Sequence, residues 1–225
     1  MSGLAIFGGT FDPVHLGHLL PARRVCDLFG FTQVLFVPAA LPPHKQGESV
    51  TPFAHRFAML ALATQDEDRF LISDLELGRA GPSYTFETLR SLRQLSPEEE
   101  LFFLLGSDSF LEIESWHRWQ EIAELAHLVV LHRPGAWGEE LRRRSPAALL
   151  DRLRPLAAGA GAPIAAPGER LVYLVEHEPV VASATEIRDR LHRGLHLGGL
   201  VPRAVERYIR KHRLYHLESE GNGAR

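Results

Sequence analysis

Cysteine is almost missing from this chain: Cys26 stands alone among 225 residues. An intramolecular disulfide is therefore excluded, and the composition fits a reducing compartment. Long apolar runs are missing too, so nothing approaches the roughly 18 residues of a membrane-spanning helix. The short apolar start has no basic region before it, so no secretory signal peptide is expected. Neither sign of charge is in excess. The formal net charge is −3, which gives no electrostatic case for DNA or RNA as a partner. Lysine is scarce, with only Lys45 and Lys211 against 23 arginines. The strings GxGxxG, GxxxxGK[ST] and HExxH do not occur, which removes the usual marks of a nicotinamide dehydrogenase, a P-loop enzyme and a zinc protease. The expectation is a cytoplasmic protein that meets neither membrane nor nucleic acid.

What is present is an ordinary globular composition, 45% apolar and 24% charged. Apolar runs at Leu4–Phe7, Gln33–Val37, Phe70–Ile72, Leu101–Leu105, Leu128–Leu131 and Leu171–Val175 read as strands. Helical patterns fall between them, at His15–Phe29, after Thr51-Pro52 (read as an N-cap and a first-turn proline), and at Thr85–Leu95. Cys26 shares one helical face with Leu19, Ala22, Val25 and Phe29, so it reads as a core thiol. Strands alternating with helices predict an α/β fold: a Rossmann-like doubly wound parallel sheet with a smaller C-terminal helical part. Residues 1–216 are expected to form a single domain, and 217–225 a disordered tail. The stretch Gly135–Glu169 reads as a short helix followed by a flexible connection. Its Arg142-Arg143-Arg144 run suits a solvated helix face, or else an anionic partner.

The richest string is Gly8-Gly9-Thr10-Phe11-Asp12-Pro13-Val14-His15-Leu16-Gly17-His18. It joins the first strand to the first helix. Helix N-terminal N–H groups and the helix dipole favour an anion there, and glycines permit close approach. His15 and His18, three apart, share a face and can donate hydrogen bonds where phosphate charge develops. Asp12 before proline reads as a shaper of the turn. Ser183-Ala184-Thr185-Glu186-Ile187-Arg188 is a capping box by its Ser and Glu; its hydroxyls and Arg188 could equally hold a polyphosphate. Pro42-Pro43-His44-Lys45 is a stiffened loop carrying two cationic-capable side chains. Tyr84 after a Gly-Pro turn and Trp116 in a polar setting could stack an aromatic ligand. His192 with His196, and His212 with His216, have helical spacing but no third ligand of clear type, so no protein metal site is expected.

Together these strings resemble the HxGH nucleotidyltransferases, and within them the bacterial nicotinate-nucleotide adenylyltransferase family. GGTFDPVHLGH and SATEIR carry the first resemblance; PPHK, PSYT, GSDS and Trp116 carry the second. The resemblance implies transfer of AMP from ATP to nicotinate mononucleotide, giving deamido-NAD and pyrophosphate, with Mg²⁺ held mainly through the ATP phosphates. It implies His15 and His18 as the catalytic pair. Gly8, Gly9, Thr10, Phe11, Gly106, Asp108, Ser183, Thr185 and Arg188 would lie along ATP. His44, Lys45, Tyr84, Thr85, Trp116 and Arg133 would lie along the acceptor. Two positions depart from the family's habit: Ala182 stands before Ser183 where Ile is common, and His117 follows Trp116 where an aromatic is frequent. The alternatives are a sister transferase with a phosphopantetheine or nicotinamide mononucleotide acceptor, and a non-catalytic nucleotide sensor on the same fold. The oligomeric state is left open, a homo-oligomer included.

Overall fold

The structure is a computed structural model and describes residues 3–45, 47, 49–132, 137–156, 165–166, 168–178, 180 and 182–215. In chain order the regular elements are β1 (Gly3–Gly9), α1 (Leu16–Phe29), β2 (Val34–Pro38), α2 (Phe53–Thr64), β3 (Phe70–Ile72), α3 (Thr85–Leu95), β4 (Glu100–Gly106), α4 (Ser107–Leu111), α5 (Trp119–Leu125), β5 (His127–His132), α6 (Trp137–Arg144), β6 (Leu153–Leu156), β7 (Val172–Glu176), α7 (Ala184–His192) and α8 (Arg203–Lys211). The seven strands form one sheet in the order β3-β2-β1-β4-β5-β7-β6. Every pairing is parallel.

The strands read as near-continuous apolar runs because both faces of the sheet are covered. Successive side chains point to opposite faces. Thus Ala5 and Phe7 of β1, Phe102 and Leu104 of β4, and Tyr173 and Val175 of β7 enter one core with α1, α2, α7 and α8. Ile6, Leu101, Phe103, Leu105, Val172 and Leu174 enter the other, with α3, α5 and α6. Cys26 is buried in the first core, and burial raises its thiol to about 11, which makes it an inert apolar filler.

Chain order reverses between β1 and β4, which lie side by side. Their carboxyl ends are Gly9 and Gly106. A doubly wound sheet opens its ligand crevice at such a point. No helix among the described residues is long and apolar enough to cross a membrane.

Two expectations need correction. Gly135–Glu169 is not only a helix and a connection. After α6 and a short 3₁₀ turn, Leu153–Leu156 forms β6, an edge strand parallel to β7. Its sequence, Leu-Arg-Pro-Leu, is short and holds a proline, which an edge tolerates but which hides the strand pattern. The N-cap of α2 is Pro52, not Thr51. Thr51 instead donates its N–H to Asp12 and accepts from Arg56 through its carbonyl. The tail 217–225 lies outside the described residues.

Candidate active site

Two adjoining cavities open at the carboxyl ends of β1 and β4. One, of about 440 Å³, is lined by Gly8, Gly9, Thr10, His44, Tyr84, Thr85, Trp116 and His117. The other, of about 390 Å³, is lined by Gly8, Gly9, His15, Gly17, His18, Gly106 and Asp108. Gly8, Gly9, Phe103, Ser109 and Trp116 border both. The glycine pair is therefore the wall that a group passing between the cavities would meet.

His15 is the N-cap of α1, in extended backbone, and is 7% exposed. Its N–H donates to Nδ1 of His18 at 3.2 Å. An accepting Nδ1 on a neutral ring puts the proton on Nε2 of His18. The two rings lie 3.8 Å apart, centroid to centroid. Burial lowers His15 to about 4. Burial, then the neighbouring His15, holds His18 well below the usual histidine range. Both are neutral donors at neutral pH. Nδ1 of His15 is buried with no partner among the described residues. Gly17 cannot carry a side chain here: a Cβ would come within 2.9 Å of the Ala182 carbonyl and of the His15 ring.

Phe11 lines neither cavity. It is 2% exposed, at φ 49°, and its ring meets His18 edge-on at 5.0 Å between centroids. Its side chain thus supports the His18 ring from within the core. Ser183 and Thr185 border neither cavity, although Ala182 beside them does. Ser183 caps α7 by accepting from the Glu186 N–H at 3.1 Å. The Glu186 carboxylate turns to Arg190, so only half of the expected capping box forms. Arg188 also stands outside both cavity walls. It donates to the Asp12 carbonyl at 2.7 Å and to the Thr185 hydroxyl at 3.4 Å.

Of the residues expected along the acceptor, His44 and Lys45 sit on a 3₁₀ turn over Pro43–Lys45. His44 faces the Trp116 ring at 6.0 Å. Lys45 lines a neighbouring groove and not the cavity itself. The Tyr84 ring lies tilted at 31° against His117, 4.4 Å between centroids, and His117 is the residue that departs from the family's habit. Arg133 lies outside the described residues.

Two functional supports escaped the sequence reading. Arg56 is 1% exposed and donates to the carbonyls of Thr51 and Thr10 at 2.8 Å and of Ala40 at 3.4 Å. It ties the glycine turn to the loop after β2. A signal existed: Arg56 lies on the apolar stripe of α2, one turn before Leu60. Glu76, also buried, accepts from the Ala40 N–H at 3.4 Å and from the Thr88 hydroxyl at 2.5 Å. The Ala40 peptide is thus gripped from both sides, which fixes the origin of the Pro42–Lys45 loop. No local pattern marked Glu76.

Among the described residues no three His, Cys, Asp or Glu side chains converge as a metal site. Asp108 is an acidic side chain on the wall of the second cavity. The donor set suits an ion carried on ligand phosphates and water.

Residues 6–190 match the cytidylyltransferase-like family. A curated relative from Geobacter sulfurreducens, named a probable nicotinate-nucleotide adenylyltransferase, is 43% identical over 210 residues, covering 93% of this chain and 96% of its own length. One from Symbiobacterium thermophilum with the same name is 42% identical over 99% of this chain and 100% of its own. Among solved structures, the Plasmodium falciparum nicotinic acid mononucleotide adenylyltransferase complexed with NaAD superposes with a TM-score of 0.73 at 20% identity. It covers 96% of this chain and 98% of that one, and so shares the fold.

Proposed function

The chain belongs to the cytidylyltransferase-like family, and we propose from that premise that it transfers the adenylyl group of ATP to nicotinate mononucleotide, yielding deamido-NAD and pyrophosphate. It is a nucleotidyltransferase of NAD biosynthesis. The observation that carries the reading is the pair of cavities meeting at Gly8 and Gly9, with His15 and His18 beside the junction.

The reaction forms one bond and breaks one. An oxygen of the acceptor phosphate attacks the α-phosphorus of ATP, and the bond from that phosphorus to the β-phosphate oxygen breaks. Pyrophosphate leaves with the electron pair. No strong base is needed, because a phosphate is already ionised near pH 7. Catalysis is then alignment plus stabilisation of charge moving onto pyrophosphate. In this reading the 390 Å³ cavity takes ATP, and its α-phosphate rests on the glycine pair. The 440 Å³ cavity takes the mononucleotide, with its pyridine ring among Tyr84, Thr85 and Trp116 and its phosphate toward His44, with Lys45 reaching in from the neighbouring groove. Nε2–H of His18 donates to the phosphate oxygens in the transition state, and His15 does so beside it. Gly106 and Asp108 flank the nucleoside. Ser183, Thr185 and Arg188 reach the β- and γ-phosphates once the triphosphate extends past Ala182. Mg²⁺ arriving with ATP would supply charge neutralisation on the phosphates, and Asp108, on the wall of that cavity, would be the residue to hold its water shell.

The test is pyrophosphate release with ATP and Mg²⁺ against nicotinate mononucleotide, nicotinamide mononucleotide, phosphopantetheine and no acceptor. Selective release with nicotinate mononucleotide is expected. Release with another acceptor would overturn the acceptor pocket and keep the phosphate chemistry. ATP binding without release would move the protein to a nucleotide sensor.

A further inference from the structure

The geometry points to Tyr215 as a positioning residue for ATP binding: its hydroxyl occupies the Asp12 carboxylate and so leaves Arg188 available to the phosphates.

Asp12 lies in the turn between the glycine pair and His15 and is 4% exposed. Three distant segments converge on it. Tyr215 donates its hydroxyl to Oδ1 at 2.5 Å. Thr51 donates its N–H to Oδ2 at 3.2 Å. Arg188 donates to the Asp12 carbonyl at 2.7 Å. The carboxylate therefore already holds a donor on each oxygen, while Arg188 is held by the peptide group of the same residue.

Tyr215 is brought there against local preference. After α8 the chain turns back through Arg213 at φ 53° and Tyr215 at φ 61°, both left-handed without being glycine. Leu214 and Tyr215 pack on the first core. Burial and the Asp12 carboxylate push the Tyr215 hydroxyl well above the ordinary phenol range, so it remains a proton donor. The groups facing it are Asp12, Thr51, Arg188 and Arg56, and the Arg56 guanidinium is already committed to the carbonyls of Thr51, Thr10 and Ala40.

Consider the turn without that hydroxyl. A buried carboxylate oxygen would lack a partner, and such a group recruits a cation that is free to turn to it, which Arg56, bound to three carbonyls, is not. Arg188 already touches the same residue through a neutral carbonyl. Pairing with the carboxylate is the stronger, charge-assisted alternative. The guanidinium would then be spent inside the protein. Only ATP, and not the acceptor, would lose by this.

The inference rests on Arg188 being a phosphate ligand. ATP affinity is measured by calorimetry and turnover separately, so that a protein binding ATP without turnover sinks the reaction and leaves this test running. For Tyr215→Phe, with its ring retained, ATP Kd rises about ten-fold, the scale of one hydrogen bond to a charged group. The Kd of nicotinate mononucleotide stays within about two-fold. In an Arg188→Ala background, Tyr215→Phe adds less than about two-fold, since the residue through which it acts is gone. An unchanged ATP Kd, equal weakening of both ligands, or the full ten-fold loss in the Arg188→Ala background would each overturn the inference. Should Tyr215→Phe alone fold poorly, Asp12→Asn provides a second route. An amide does not attract the guanidinium, so Tyr215→Phe there leaves ATP Kd within about two-fold of the Asp12→Asn parent. A ten-fold rise in that background overturns the inference as well.

Discussion

The main-chain N–H of His15 donates to Nδ1 of His18 at 3.2 Å, so the first histidine of the pair fixes the tautomer of the second. The bond is possible because His15 is the N-cap of α1 and its N–H has no intrahelical acceptor. One hydrogen bond both satisfies the N-cap N–H and leaves Nε2 as the donor of the His18 ring, on the wall of the second cavity. Removing the ring removes a donor whose direction is fixed before the ligand arrives. His18→Ala is expected to lower kcat by about 10²-fold or more. Steady-state kinetics at saturating ATP and acceptor test this, and an unchanged kcat would contradict the assignment.

Gly17 should tolerate nothing larger. In Gly17→Ala the new methyl would stand 2.9 Å from the Ala182 carbonyl and from the His15 ring. A backbone carbonyl cannot rotate away as a side-chain end can. The expected cost is about 1–3 kcal/mol of stability, together with a fall in kcat as His15 is displaced. Urea denaturation and turnover on one sample check both.

Arg56 holds three carbonyls with one buried guanidinium. Replacing it with Met keeps the volume and strands the carbonyls of Thr10 and Thr51 without a donor. Destabilisation of about 2–5 kcal/mol is expected, from two buried acceptors left unpaired at about 1–3 kcal/mol each. A midpoint in chemical denaturation equal to wild type would show that the network contributes nothing.

Tyr84 borders the 440 Å³ cavity, proposed for the acceptor, and not the one lined by His15 and His18. Tyr84→Ala should therefore raise the KM for nicotinate mononucleotide by about five-fold or more, the scale of a lost aromatic contact. The KM for ATP should stay nearly fixed. Equal rises in both would mean that the two cavities are not separate subsites.

Acid should weaken the fold through buried histidines. Burial lowers both His15 and His127 to about 4, from an ordinary 6.5. The unfolded chain takes up these protons near pH 6.5 and the folded chain resists until about pH 4. Stability is therefore full above 6.5 and falls between 6.5 and 4, by up to about 1.4 kcal/mol per pH unit for each group. His127→Gln retains an acceptor for the Leu171 N–H, now 3.1 Å from Nδ1. It should flatten the fall measured by denaturation at pH 7.5 and 5. A slope unchanged from wild type would assign the acid loss to other groups.

Much of the site was legible because its chemistry is local in sequence. Gly8 to His18 spans a strand end, a turn and a helix start, and each step has a residue-level reason. The helix near Thr85 to Leu95 was legible from the Gly and Pro loop before it, and the structure places it over Thr85–Leu95. Arg56 was harder, because a charged residue on an apolar stripe signals a buried partner without naming it. Its partners are peptide carbonyls, which every residue has. β6 was hidden by its proline and by its edge position, where alternation is not demanded.

The sequence alone determined the alternation of strands and helices, the parallel sheet and the glycine turn that opens α1, since periodicity, glycine placement and helix capping act over a few neighbours. The tertiary structure alone decided that Asp12 meets Tyr215 and Arg188, 203 and 176 residues away, and that Phe11 supports a ring in place of lining a cavity. Those contacts follow from how α7 and α8 return to the sheet. Hydrogen bonding and burial at such distances depend on the packing of the whole core, which no local spacing encodes.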